Sequence, residues 1–214
     1  MRIAGSGIKI REVAHSRPSN VQSRRAVFID RDGTINKDIG YVSNPDELDL
    51  YPWAAEAIRR INDSGLLAIV ITNQSGIARG MYTEKTLDAI HARMTSELES
   101  EGARIDAVYY CPHHPEVGDV QYRIACECRK PRIGMLSRAA WEHKIDLSRS
   151  FVIGDKASDI KLAENAGMRS ALVLTGYGRA TAAHPKRWPC SPDIKAENLL
   201  VAVTQILDSP LTRS

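Results

Sequence analysis

The apolar positions of this chain fall into short unbroken runs that alternate with stretches of helical period. Residues 25–30 and 66–72 are nearly continuous apolar runs and predict buried strands, the second being the clearer. Between them, 52–64 places Ala54, Ala57, Ile58 and Ile61 on one helical face, with Gly65 after its end. The same pattern predicts a long helix over 83–101 stopped by Gly102, and further helices over 134–144, 158–166 and 196–207. Strands are expected at 105–110, 151–154 and 170–174, while 111–132 is irregular. Strands apolar on both faces and separated by helices imply a parallel sheet covered on each side. The expected fold is therefore α/β, a doubly wound, Rossmann-like parallel sheet. Ligands in such sheets bind beyond the carboxyl ends of the strands, where strand order reverses. Asp30, Thr72 and Asp155 all fall at those ends.

A length of 214 residues and an apolar share of 43% suit one domain with one substantial core. That domain is expected over 25–209, after a polar extension over 1–24 whose Gly5, Gly7, Pro18 and scattered Arg predict poor order. Lys and Arg number 29 against 26 acids, and a formal charge of +3 gives no reason to expect a nucleic-acid or membrane surface. It is compatible with a small anionic substrate. No apolar run approaches a membrane span, and the start lacks the apolar block of a secretory signal and the apolar face of a transit peptide. A cytoplasmic location is expected.

Phe28-Ile29-Asp30-Arg31-Asp32-Gly33-Thr34 sets two carboxylates two residues apart where a strand runs out. In an extended backbone Asp30 and Asp32 would converge while Arg31 faces away. Their repulsion must be offset by a cation or a proton, and Mg²⁺ prefers oxygen ligands of this kind. An acidic turn is the plain alternative for such a pair standing alone. A calcium loop does not fit: counted from Asp30, Gly33 comes fourth instead of sixth, and Tyr41 stands where the bidentate Glu belongs. Phe151-Val152-Ile153-Gly154-Asp155-Lys156 repeats the arrangement, so Asp155 could complete a metal site with Asp30, supported through water by Asp159. Taken alone, Asp155 and Ser158 would read as turn and N-cap residues.

Thr72-Asn73-Gln74-Ser75-Gly76 ends the strongest strand in hydroxyl and amide groups suited to phosphoryl oxygens, though an ordinary turn can look the same. Arg129 and Lys130 add a fork and a point charge, which a phosphate needs fixed, and Pro131 stiffens the chain behind them. Cys111-Pro112-His113 and Cys126-Glu127-Cys128 offer three thiols and an imidazole, the inventory of a closed, structural Zn²⁺ site. His114 competes with His113 for that role. Disulfides are the weaker reading in a cytosolic chain. Cys190 stands apart and needs no role.

With these segments assembled, the chain resembles the haloacid dehalogenase superfamily of phosphatases, and within it the heptose bisphosphate 7-phosphatases of bacterial heptose synthesis. The likeness runs over about 26–176 and is most specific in 28–36, 72–80, 109–115, 126–131 and 154–156. It implies that Asp30 is the nucleophile, forming an aspartyl-phosphate, and that Asp32 protonates the leaving oxygen and then activates water. It also implies Mg²⁺ on the Asp30 carboxylate, the Asp32 backbone carbonyl and Asp155, and Zn²⁺ on Cys111, His113, Cys126 and Cys128. Thr72 and Lys130 would hold the transferring phosphoryl group, while Asn73, Arg129 and Lys156 would orient a small phosphorylated sugar. No stretch is long enough for a cap domain, so a capless monomer is expected, its site shaped by Gly40-Tyr41-Val42 and by the zinc loop over 111–128. Histidinol-phosphate phosphatase is the nearest alternative by resemblance, but its zinc loop is typically shorter. The N-terminal extension departs from the family pattern, and the tail after Tyr177 is not aligned by the likeness.

Two readings of other classes remain at this stage. A phospho-accepting signalling module shares the sheet and the acceptor Asp but lacks the zinc loop and has no use for Asp32 as a proton shuttle. A zinc-based nucleic-acid binder is opposed by the modest charge and by the lack of aromatics interleaved with the Cys pairs.

Overall fold

The computed structural model describes residues 23–184 and 191–209. The expected extension lies outside the described residues up to position 22, as does Cys190. Arg24, expected to belong to that extension, is already tied down: its N–H donates to the Lys144 carbonyl at 2.9 Å and its carbonyl accepts from Asp146 at 2.8 Å.

Among the described residues, six parallel strands form one sheet. β1 (Ala26–Ile29), β2 (Leu67–Asn73) and β3 (Ala107–Cys111) run outward in one direction, and β4 (Phe151–Gly154), β5 (Arg169–Val173) and β6 (Ile194–Ala196) in the other, giving the order β3-β2-β1-β4-β5-β6. The period of two along each strand divides the core into two layers. Val27, Ile29, Ala68, Val70 and Ile153 face α1 (Ala54–Asp63), α2 (Glu84–Ser100) and α6 (Leu199–Asp208). Phe28, Leu67, Ile69, Ile71 and Val152 face α3 (Gly134–His143) and α4 (Ala157–Asn165). Both faces are thus buried, as a parallel sheet requires.

The last third of the chain differs from expectation. A short helix, α5 (Gly178–Ala183), and the edge strand β6 were not foreseen, because six and three residues carry too little periodicity to register. The final helix begins at Leu199, not at 196, because Ala196 is spent in β6 and the Asn198 side chain caps the helix by accepting from the Val201 N–H at 3.1 Å.

The sheet order reverses between β1 and β4. Ile29 pairs with Ile153, and the Asp30 N–H donates to the Ile153 carbonyl at 2.9 Å, so Asp30 and Asp155 leave neighbouring strands side by side. That reversal is where a doubly wound sheet opens its ligand crevice.

Candidate active site

Asp30 is almost fully buried, yet its carboxylate is well supplied with donors. Its Oδ1 accepts the Arg31 N–H at 2.8 Å and lies 2.9 Å from Lys130 Nζ. Lys130 also reaches Asp159 Oδ1 at 2.6 Å and donates to the Ile71 carbonyl at 3.0 Å, so all three of its protons are used. Burial disfavours its charge, but Asp159 and Asp30 outweigh that and hold the ammonium protonated. Asp159 therefore anchors Lys130 and, through Oδ2, accepts the Lys156 N–H at 3.0 Å at the start of α4. Ser158, a candidate N-cap in the sequence, is already inside that helix, which is capped at Lys156.

Oxygens of Asp30, Asp155 and Asp159 lie within 4.8 Å of one another. Asp155 does not cap α4. Its Oδ2 accepts the Tyr177 N–H at 2.8 Å, while its Oδ1 is buried with no hydrogen-bond donor. Burial raises its pKa well above the usual carboxylate range, and the charges of Asp30 and Asp159 raise it further against the pull of Lys156. The backbone is pressed close here: a Cβ on Gly33, whose φ is +86°, would sit 2.2 Å from Asp155 Oδ2. An orphaned, buried carboxylate oxygen beside a second carboxylate fits a hard divalent cation such as Mg²⁺. The Asp32 carbonyl faces the same place, 3.5 Å from Lys156 Nζ, which is itself 3.8 Å from Asp155 Oδ1.

Asp32 departs from the simple strand picture. β1 ends at Ile29, and the Arg31 carbonyl accepts the N–H groups of Thr34, Ile35 and Asn36 in a tight turn. Arg31 consequently does not face away; it is fully buried, and its Nε and Nη2 donate to Asp32 Oδ1 at 3.0 and 2.8 Å. Nη2 also reaches Asp32 Oδ2 at 2.8 Å, Asn36 Nδ2 donates to Oδ1 at 3.0 Å, and Gln74 Nε2 donates to Oδ2 at 2.8 Å. Burial alone would raise the Asp32 pKa, but the charge of Arg31 and these hydrogen bonds bring it below the ordinary value.

A cleft of about 370 Å³ opens over these groups, lined by Asp32, Asn73, Arg129, Lys130 and Lys156 and also by Asp38, Tyr41 and Tyr177. Thr72 lies beneath, its Oγ1 accepting from Gln74 Nε2 at 2.8 Å. The Asn73 amide clasps Lys130, accepting its N–H at 3.1 Å and donating to its carbonyl at 3.2 Å, so this side chain serves the lysine as well as lining the cleft. Lys156 pairs with Asp38 at 2.9 Å and lies 5.2 Å above the Tyr177 ring. Gly40 and Tyr41 line the cleft as expected, whereas Val42 is 2% exposed and belongs to the core. Asp38 and Tyr177 carried no signal in the sequence. A larger concavity, about 640 Å³, runs along β3 and α3, but none of the paired carboxylates lines it.

Cys111, His113, Cys126 and Cys128 converge beside the cleft. Cys126 Sγ lies 3.4 Å from Cys111 Sγ and 3.2 Å from Cys128 Sγ, and His113 Nδ1 is 3.3 Å from Cys128 Sγ and 3.8 Å from Cys111 Sγ. Those separations exceed a disulfide bond and are slightly tighter than the edge of roughly 3.8 Å expected for thiolates around Zn²⁺ at ~2.3 Å. The donor set fits zinc. His114 is excluded because its Nδ1 accepts the N–H groups of Glu116 and Val117 at 3.1 and 3.2 Å. Arg129 donates to the His113 carbonyl at 3.1 Å, so the cluster also fixes a cation of the cleft.

A buried carboxylate, a second one two residues on, a lysine and an acidic group that fits a cation, gathered at the switch point, are the arrangement of a haloacid-dehalogenase-type phosphohydrolase. Between β1 and α1 and between β2 and α2 the described residues hold no cap domain. A family model described as HAD-hydrolase-like matches residues 127–202. A D-glycero-D-manno-heptose-1,7-bisphosphate 7-phosphatase of Thermosynechococcus vestitus is 46% identical over 187 residues, covering 86% of this chain and 95% of the relative. The D-glycero-beta-D-manno-heptose-1,7-bisphosphate 7-phosphatase of Rhodopseudomonas palustris is 49% identical over 145 residues, covering 68% and 81%. The solved D,D-heptose 1,7-bisphosphate phosphatase of B. bronchiseptica, complexed with magnesium and phosphate, superposes with a TM-score of 0.76 at 34% identity, covering 86% of this chain and 98% of that one. This chain belongs to the D-glycero-D-manno-heptose-1,7-bisphosphate 7-phosphatase family.

Proposed function

We propose that this enzyme removes the 7-phosphate of D-glycero-D-manno-heptose 1,7-bisphosphate by a Mg²⁺-dependent, two-step transfer through Asp30. Asp30 attacks phosphorus, and its bond to phosphorus forms as the bond to the sugar oxygen breaks. Lys130 and Thr72 hold the phosphoryl oxygens; Asn73, Arg129 and Lys156 orient the sugar and its second phosphate. Asp32 gives its proton to the leaving oxygen, then takes one from the water that displaces Asp30. In the free site Asp32 is held in its ionised form, as the second step needs, and the charge of an arriving phosphate raises its proton affinity for the first. Asp30, Asp155 and the Asp32 carbonyl would hold Mg²⁺, which when bound neutralises charge on the transferring group.

The observation that carries this reading is the buried Asp30 beside both Lys130, at 2.9 Å, and the orphaned Asp155 Oδ1. Covalent capture on a carboxylate divides one hard displacement into two easier ones. A phospho-accepting signal domain has no place for the tightly held Asp32. The zinc cluster would be structural, having four protein ligands and no vacant position. A monomer is the proposed acting unit. Thiols gathered for a metal suit a reducing, cytoplasmic setting, and among the described residues no helix is long and apolar enough to cross a membrane.

The discriminating experiment is a Mg²⁺-dependent phosphate-release screen comparing the α- and β-heptose bisphosphates with histidinol phosphate. A heptose bisphosphate should be the preferred substrate; preference for histidinol phosphate would move the chain to the neighbouring specificity.

A further inference from the structure

Arg31 is the bulkiest fully buried side chain of the described residues, and it does not line the cleft. A guanidinium taken out of water costs several kcal/mol unless its donors are matched. Here two nitrogens fork onto Asp32, and the third, Nη1, meets His91 Nε2 at 3.2 Å. Arginine has no acceptor, so the imidazole must present a lone pair and is neutral. His91 comes from the buried face of α2, with its ring centroid 5.9 Å from that of Tyr110.

The opposite side of Asp32 is fixed in the same manner. Gln74 Nε2 bridges Asp32 Oδ2 and Thr72 Oγ1, both at 2.8 Å, while Gln74 Oε1 accepts the Tyr82 hydroxyl at 2.5 Å. The Tyr82 ring in turn lies against Gly76, where a Cβ would come within 2.3 Å of it. Asp32 is thereby held by Arg31 and Gln74, each backed by another side chain, with Asn36 as a third donor on Oδ1.

We propose that Arg31, braced by His91, together with Gln74, braced by Tyr82, are positioning residues that aim the Asp32 carboxyl group at the oxygen it protonates and the water it deprotonates. The inference rests on the phosphatase reading, since that reading gives Asp32 a proton to move. A shuttle used twice per turnover gains from being held in one orientation, because displacement by an ångström forfeits much of its rate advantage.

The two chemical steps separate this role from a merely structural one. A sugar alkoxide needs a proton as it leaves, whereas p-nitrophenolate does not; the attacking water needs a base in either case. His91→Leu removes the brace behind Arg31, and Tyr82→Phe removes the one behind Gln74 while keeping the ring. Single turnovers with enzyme in excess over p-nitrophenyl phosphate read nitrophenolate release and phosphate release separately. For either variant, nitrophenolate release should stay within about twofold of the parent, while phosphate release slows about tenfold. The kcat for the heptose bisphosphate should also fall about tenfold, with KM within about twofold. Equal slowing of both releases, or unchanged kcat in both variants, overturns the proposal. If His91→Leu does not fold, Tyr82→Phe decides alone. Failure of the parent enzyme on both substrates would instead overturn the phosphatase reading itself.

Discussion

Asp32 and Asp155 are carboxylates in one crevice, yet their surroundings push them in opposite directions. The guanidinium of Arg31, with hydrogen bonds from Asn36 and Gln74, draws Asp32 down against its burial; burial and two neighbouring carboxylates drive Asp155 up. One is thus satisfied by the chain itself, and the other is left for a cation. His91 shows the same economy at a distance. Burial, and then the charge of Arg31, bring its pKa to about 3 from 6.5. Between those values the unfolded chain binds a proton that the folded chain does not, so stability falls as pH drops from about 6.5 toward 3, by at most about 1.4 kcal/mol per pH unit. Thermal melts across that window should decline less steeply for His91→Gln than for the parent. Parallel slopes would mean that the imidazole is already protonated in the fold. The cation site at Asp155 was legible in the sequence, but the Arg31–His91 contact was not: the alternation of a strand pointed Arg31 outward, and a lone His among Leu87, Ile90 and Met94 reads as core.

At the scale of elements, what was local was legible. Continuous apolar runs announced β1, β2 and β4 with bounds close to those observed, and the inventory of Cys111, His113, Cys126 and Cys128 pointed to a metal loop whose four side chains the structure gathers. What depended on distant partners was not. The choice of His113 over His114 follows from which imidazole is tied up by backbone N–H groups, a feature of the folded loop. That loop is fastened twice more, since the hydroxyls of Tyr110 and Tyr122 both donate to Glu84 of α2 at 2.7 Å. Cys126→Ser should therefore release bound Zn²⁺ and lower the melting temperature by several degrees, with the effect on KM exceeding that on kcat because Arg129 hangs from His113. Metal analysis of protein purified under reducing, chelator-free conditions checks the first part. Absence of stoichiometric zinc in the parent protein would remove the ligand set.

For the molecule as a whole, the order β3-β2-β1-β4-β5-β6 explains why so few residues suffice. Asp30, Thr72 and Asp155 are separated by scores of residues, and a doubly wound sheet delivers all three to one rim. The alternation of strands and helices predicted that rim, but not the closing elements α5 and β6; the turn leading into α5 places the Tyr177 N–H on Asp155. Among the described residues no cap covers the cleft, so the proposed function gives substrate choice to lining residues such as Tyr41, Arg129 and Lys156. The proposed chemistry in that cleft depends on a covalent bond between phosphorus and residue 30. Borohydride reduction during turnover, followed by peptide mass spectrometry, tests this most directly, because it converts an acyl phosphate to a homoserine residue. The account predicts homoserine at position 30 only when substrate and Mg²⁺ are both present, and none in Asp30→Asn, which should fold normally and lack turnover. Homoserine at another carboxylate, or near-normal turnover of Asp30→Asn, would contradict it.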